Sequence, residues 1–317
     1  MIKIEKLTSE IKKILEEVIS NSHAKYISFS GGLDSSIIAS QLNETRKNAL
    51  VVIIDDFIAN DLAYSQIAAK YFDLKLNILN VDSGKLLDAV ENTINILQNF
   101  NDIEIRNSVV AYLAFNELKN NGINDVLTGD GADELFAGYN FLLNKSENEL
   151  KTELIRIKKI MHFPSIKIAK SLGMNIEQPF LDQSVIDYAM KIPASFMVNE
   201  KDGKKYGKWI LRKAYENDIP KSILWREKSA MQDGSGTSGL TKLFDSIIPN
   251  DMFSKKIIEI EKNDNVRIRT KESLHYYEIF RKKFEIQKSS NIPSCPDCNN
   301  ELVINTKFCQ MCGKFPI

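Results

Sequence analysis

The chain has 317 residues, 43% of them hydrophobic, with 42 basic side chains balanced by 42 acidic ones. That length holds two domains and an appendage, no apolar run approaches the roughly 18 residues of a membrane span, and a neutral charge disfavours a dedicated nucleic-acid binder. The opening MIKIEKLTSEIKK enters a helical pattern without a signal-peptide apolar core, so the expectation is a cytoplasmic metabolite enzyme.

Ile4, Leu7, Ile11, Leu15, Val18 and Ile19 recur at helical spacing, and Asn21-Ser22 ends that helix. Tyr26 to Phe29 reads as a strand, Ser36 to Leu42 as a helix, and Leu50 to Ile54 as a buried strand. A helix around 61–72, a strand at Leu76 to Leu79, helices over 84–98 and 106–120, and a strand at Asp125 to Thr128 follow. Strands alternating with helices imply an open, doubly wound parallel α/β sheet covered on both faces, here expected to have five strands. Beyond about 145 the strand signals fade. Helical patterns recur near 147–172, 183–191, 206–217, 238–247, 252–262 and 270–287. The division expected is an α/β half over 1–145, a helical half over 146–288 and a small unit over 289–317, entered through a linker at Ser289-Ser290-Asn291-Ile292-Pro293.

Ser30-Gly31-Gly32-Leu33-Asp34-Ser35-Ser36 lies where the first strand turns into a helix. Glycines let backbone N–H groups approach an anion, and the helix N-terminus adds a positive dipole end. Ser30, Ser35 and Ser36 can donate to phosphate oxygens, and Asp34 can hold magnesium. The bland alternative is an ordinary Gly-Gly turn with a helix cap. No Gly-Lys-Ser/Thr occurs in the chain, so this is not the Walker loop. The pattern resembles the signature of the N-type ATP pyrophosphatases (adenine nucleotide alpha-hydrolase-like fold, or PP-loop), and that resemblance implies cleavage of ATP between the α and β phosphates.

Further segments, in order, resemble the synthetase domain of the glutamine-hydrolysing asparagine synthetase superfamily. Leu127 to Tyr139 (LTGDGADELFAGY) is similar to its S-G-E-G-S-D-E-[IVL]-F-G-G-Y motif, and Pro179-Phe180-Leu181-Asp182 to its P-F-L-D. Lys208-Trp209-Ile210-Leu211-Arg212 is similar to its K-x-x-L-R. Arg226-Glu227-Lys228 and Asp233-Gly234-Ser235-Gly236 are similar to its R-x-K and D-G-x-G, and Thr270-Lys271-Glu272 and Tyr277-Glu278-Ile279-Phe280 to its closing helix. The resemblance implies that Ser30, Gly31, Gly32, Asp34 and Ser35 cradle pyrophosphate. It also implies that Thr128 and Gly129 flank adenine and ribose, that Asp34 and Asp133 bind magnesium, and that Lys208 steadies charge on the transferring phosphoryl group. Asp130 matches the family glutamate that handles the attacking amine as a general base. For Lys208 the alternative is a solvated lysine on a helix.

Three positions depart from the pattern: Asp130 is one methylene shorter than the glutamate, Ala137 replaces a glycine, and Glu177 replaces an arginine. The reversed charge at 177 predicts a less positive amino-acid pocket and poor use of aspartate, unless Arg226 or Lys228 compensates. Family enzymes begin with a glutaminase domain whose nucleophile is a cysteine after the initiator methionine. Position 2 here is Ile2, so ammonia, a separate glutaminase subunit or a substrate amine is expected to supply nitrogen.

All four cysteines, Cys295, Cys298, Cys309 and Cys312, fall in the last 23 residues. Paired C-x-x-C knuckles suit a tetrahedral zinc ribbon, with Asn299 and Gly313 at the tight knuckle turns. A redox dithiol pair or free thiols are the alternatives. So short a piece has no core of its own, so metal drives its folding, and every other motif lies before 285, so it is expected to be separable from the ATP chemistry. The three histidines, His23, His162 and His275, read as structural or surface groups. The leading expectation is a ligase that forms an amide through an acyl-adenylate, using ATP, Mg2+ and Zn2+. The alternatives are an adenylating enzyme that modifies tRNA or a carrier protein through the ribbon, and a non-enzymatic nucleotide-binding relative.

Overall fold

The computed structural model describes residues 4–286, 293–303 and 306–317; Ile2 and most of the expected linker at 289–293 lie outside them. In chain order the elements are α1 (Ile4–Ser20), β1 (Tyr26–Ser28), α2 (Leu33–Ser40), β2 (Asn48–Ile54), α3 (Asp61–Phe72), β3 (Lys75–Val81), α4 (Ser83–Leu97), α5 (Asp102–Asn120) and β4 (Asp125–Leu127). Then come α6 (Ala132–Leu135), α7 (Glu147–Ile160), α8 (Pro164–Ser171), β5 (Asn175–Glu177), α9 (Gln183–Ala189) and the hairpin β6 (Asn199–Lys201) and β7 (Lys204–Tyr206). The chain continues through α10 (Trp209–Ala214), α11 (Lys221–Leu224), α12 (Met231–Ser235), α13 (Gly239–Ile247), α14 (Asn250–Asp264) and α15 (Lys271–Arg281).

Five parallel strands form one sheet in the order β3-β2-β1-β4-β5. The expected doubly wound α/β architecture is the one observed. β1 is the hinge of the winding: the chain runs outward through β2 and β3, then returns to β1's other side for β4 and β5. β2 is buried along nearly its whole length, as its Ala49-Leu50-Val51-Val52-Ile53-Ile54 run demands of a strand covered on both faces. One face packs Leu7, Ile11, Leu15 and Ile19 of α1 with α2, α9 and α10. The other packs α4, α5, α13 and α15, and the four cysteines join that second core.

Three features differ from the sequence reading. The fifth strand, β5, comes from the half read as helical; three residues are too short to show periodicity. The helical stretch near 147–172 is two helices, because Pro164 lacks an N–H and starts a new helix at its first turn, leaving Met161 to Phe163 as a break. The region read as helix over 206–217 begins with the end of the β6–β7 hairpin and is helical only over α10.

Candidate active site

Strands β1 and β4 are neighbours, with Ile27 opposite Leu127, so the loops that follow them emerge side by side at the sheet's C-terminal edge. Open α/β sheets bind ligands at this crevice, where the winding reverses. The two loops touch: a Cβ placed on Gly129 would lie 3.0 Å from Cβ of Asp34. Gly31, at φ 66°, presses against the α3 backbone at Tyr64 and Ser65, where any side chain would overlap. That packing seats the Ser30 loop on α3.

Lys208 joins the loops. It is 4% exposed, so the solvated-lysine reading fails. Its Nζ donates to Asp34 Oδ1 at 2.8 Å and Oδ2 at 2.7 Å, and lies 2.7 Å from Asp133 Oδ1. The other oxygen of Asp133 accepts from Lys228 Nζ at 2.7 Å. Gly138 makes this possible, since a side chain there would overlap Asp133 Oδ1 and Lys208 Cε. Burial pushes the Asp34 carboxyl up, and the charge of Asp133 adds to the rise, against the pull of Lys208 and Lys228. Burial also pushes on Asp133, but Lys208 and Lys228 outweigh it and hold that carboxyl well below the usual range. Lys228, opposed by burial, is held above the ordinary lysine range by Asp133 and Asp34.

Arg212 supports this arrangement from beneath. It is buried and donates only to backbone: Nε to Gly207 O at 3.0 Å, and its terminal nitrogens to Leu224 O and Arg226 O. It thereby links the residue before Lys208 to the segment before Lys228. Sequence reading placed Arg212 in a motif but gave it no role.

Asp130 has a different setting. Its Oδ2 accepts from Thr128 Oγ1 at 3.0 Å, Ser165 Oγ at 2.7 Å and Gln178 Nε2 at 2.8 Å. Ser165 and Gln178 carried no signal in the sequence, because they come from α8 and the end of β5 and reach Asp130 only through the fold. In the Ser30 loop, Ser30 Oγ accepts from Gly32 N at 3.2 Å and lies 3.4 Å from Ser35 Oγ. Ser36 differs from its neighbours. It is fully buried and its hydroxyl, sealed from solvent, has no hydrogen-bond partner, so the expectation that it donates to phosphate does not match its position.

Glu177 also needs correction. Its Oε1 accepts from the backbone N–H of His23 at 3.2 Å and Ala24 at 2.9 Å, tying β5 to the turn before β1. The side chain turned to Asp130 is the neighbouring Gln178. The expected repulsion of an acidic substrate by Glu177 therefore loses its basis. The compensating cations named for it are engaged elsewhere: Lys228 on Asp133, and Arg226 on Asp61 at 2.8 Å, with its guanidinium 3.8 Å from the Tyr64 ring centre.

The donor sets fit the two expected metals. Asp34 and Asp133 offer hard carboxylate oxygens converging on one cationic point, and Asp133 Oδ1 is buried without an aligned hydrogen bond, as suits magnesium. The four cysteine sulfurs lie within 4.8 Å of one another, with Cys295–Cys312 and Cys298–Cys309 at 3.6 Å. A tetrahedron with Zn–S bonds of about 2.3 Å has edges of about 3.8 Å. Asn299 and Gly313 take the left-handed conformation at φ 59° and 73°, as the knuckle turns require.

Comparison with known proteins follows the same lines. The family model described as asparagine synthase matches residues 26–173 and 167–291. The chain is 30% identical over 288 residues to a probable glutamine-hydrolysing asparagine synthetase of Dictyostelium discoideum, covering 80% of this chain and 51% of that protein. It is 30% identical over 278 residues to a glutamine-hydrolysing asparagine synthetase of Zea mays, covering 80% and 47%. The chain thus spans about half the length of these curated relatives. Among solved structures, an NMN synthetase from Francisella tularensis covers 92% of this chain at 14% identity, with a TM-score of 0.39. No helix among the described residues is long and apolar enough to cross a membrane.

Proposed function

This chain belongs to the asparagine synthase family, and from that premise we propose that it is an ATP-dependent carbon–nitrogen ligase that forms an amide through an acyl-adenylate. A carboxylate oxygen of the substrate attacks the α-phosphorus of ATP, the bond to the bridging oxygen breaks, and pyrophosphate leaves. An amine or ammonia then attacks the acyl carbon and displaces AMP.

The observation that carries the reading is the buried Lys208, held between Asp34 of one loop and Asp133 of the other at 2.7–2.8 Å. A cation fixed at the meeting point of the two loops is preorganised for charge that builds on the phosphoryl oxygens, in a site where little water competes. In this reading Ser30, Gly31, Gly32, Asp34 and Ser35 hold the pyrophosphate portion, and Thr128 and Gly129 flank the nucleoside. Asp130 Oδ1 takes the proton that the nitrogen nucleophile gives up. Asp34 and Asp133 would hold magnesium, which supplies charge neutralisation of the phosphates when bound, and Cys295, Cys298, Cys309 and Cys312 would hold a structural zinc.

With Glu177 turned away, aspartate is the first carboxylate to test. The purified protein, given ATP, magnesium, ammonium chloride and aspartate or other amino-acid carboxylates, should release AMP and pyrophosphate in equal amounts with the amide product. Asp34→Asn should abolish that release. Formation of ADP and phosphate instead would overturn the adenylating mechanism.

A further inference from the structure

Asp130 stands apart from the other acids of the site. Asp34 and Asp133 each face an ammonium, whereas no Lys, Arg or His nitrogen lies within 4.0 Å of Asp130 among the described residues. Its partners are three neutral donors, the hydroxyls of Thr128 and Ser165 and the amide of Gln178, and all three bond the same oxygen, Oδ2. They converge from three directions: the end of β4, the first turn of α8 and the end of β5. Turning the carboxylate would break three bonds at once, so Oδ1 is held in one place with its lone pairs unused by any of these donors.

The short side chain and the donors belong together. A glutamate at this position would carry its carboxyl about one methylene further, past Ser165 and Gln178. The site is also electrically asymmetric. Two lysines neutralise the acids on the phosphate side, and a carboxylate with neutral partners remains on the other.

We propose that Ser165 and Gln178 are positioning residues that lock Asp130 with Oδ1 presented to the nitrogen nucleophile. The nitrogen substrate this setting favours is ammonium or a protonated primary amine, which gives a proton to Asp130 Oδ1 and then attacks as the neutral amine, since an uncompensated carboxylate attracts a cation and repels an acceptor bearing its own carboxylate nearby. The proposal rests on the ligase reading above, but its geometric half is decided independently.

The test uses the full chain with Ser165→Ala, Ser165→Thr and Gln178→Met. Crystal structures of the three variants and the wild type report the orientation of the Asp130 carboxylate. Steady-state amide formation from ATP, magnesium, aspartate and varied ammonium chloride reports the KM for ammonium and kcat. In Ser165→Ala and Gln178→Met the carboxylate should turn, and the KM for ammonium should rise about five- to tenfold, the scale of one lost hydrogen bond, with kcat changing less. Ser165→Thr keeps the hydroxyl and should retain both the orientation and the KM. An Asp130 that holds its orientation in both disruptive variants, or a KM for ammonium unchanged in both, overturns the proposal. If the wild type forms no amide, the ligase reading fails, while the crystal structures still decide whether Ser165 and Gln178 fix Asp130.

Discussion

A lysine at the start of a short helix is ordinarily solvated. Lys208 is buried instead, and its backbone takes φ 55°, a strained conformation for a residue with a side chain. The strain persists because the surroundings over-determine it: its N–H donates to Phe136 O at 2.9 Å, and its ammonium is gripped by two carboxylates. Lys208→Ala is therefore expected to slow pyrophosphate release by ~10² or more, the scale of losing one oriented charge. Gly138→Ala tests the same point without removing a charge. Its methyl would collide with Asp133 and Lys208 and push them apart. The expected result is a folded protein by circular dichroism with a comparable loss of turnover; wild-type turnover would show that the exact lysine–carboxylate geometry is unimportant.

At the scale of elements, the break between α7 and α8 positions Ser165. His162 lies in that break, and its Nε2 is 3.0 Å from Glu104 Oε2 on α5. Lys167 of α8 also donates to Leu97 O at the end of α4, at 2.9 Å. The hydrogen bond to Glu104 raises the His162 pKa against the opposing effect of burial. A raised folded-state pKa contributes stability that is fully present below the unfolded histidine value of about 6.5 and fades as pH rises through the folded value. The side chain is 43% exposed, so the effect is expected to stay under about 1 kcal/mol. Thermal melts of wild type and His162→Gln should therefore differ most near pH 5.5 and converge by pH 8.5. A gap that widens with pH would contradict this assignment.

Across the whole molecule, the cysteine knuckles are docked rather than loosely tethered. Phe100 N donates to Met311 O at 2.9 Å, Arg267 N to Asp297 O at 2.7 Å and Arg269 Nη2 to Cys312 O at 2.7 Å. Asn299 Nδ2 reaches Asn265 O at 2.6 Å, and Lys307 reaches Glu153 Oε1 at 2.8 Å. The cysteines are at most 4% exposed and share a core with Phe100, Tyr277 and Phe280. The separability expected from motif positions took no account of this interface. If the four sulfurs hold zinc as proposed, ligand binding to the folded state stabilises it, and Cys309→Ser or treatment with a chelator should lower the main thermal transition of the whole chain. Hydrogen exchange should also speed up at Asn99 to Glu104, whose turn contacts the knuckle. An unchanged main transition in the metal-free protein would restore the view of an independent appendage.

The alternating pattern of apolar runs and amphipathic stretches was sufficient for the parallel sheet and its covering helices, because periodicity records which faces must leave water. The Ser30 loop, the Asp130 loop, Lys208 and the four cysteines stood out for a similar reason: each is a local cluster of chemistry-bearing side chains in a few adjacent residues, or in a spacing. Ser165, Gln178, Arg212 and the orientation of Glu177 were not legible in this way. A hydroxyl or an amide acquires a role only from what the fold brings within about 3 Å of it, and successive side chains at the end of β5 face different partners, so Gln178 rather than Glu177 reaches Asp130. The sequence by itself determined the kinds of groups available and the strand ends that carry them. Tertiary structure alone decided which oxygen each group faces, because hydrogen bonds and ion pairs depend on separations that contacts among distant segments set.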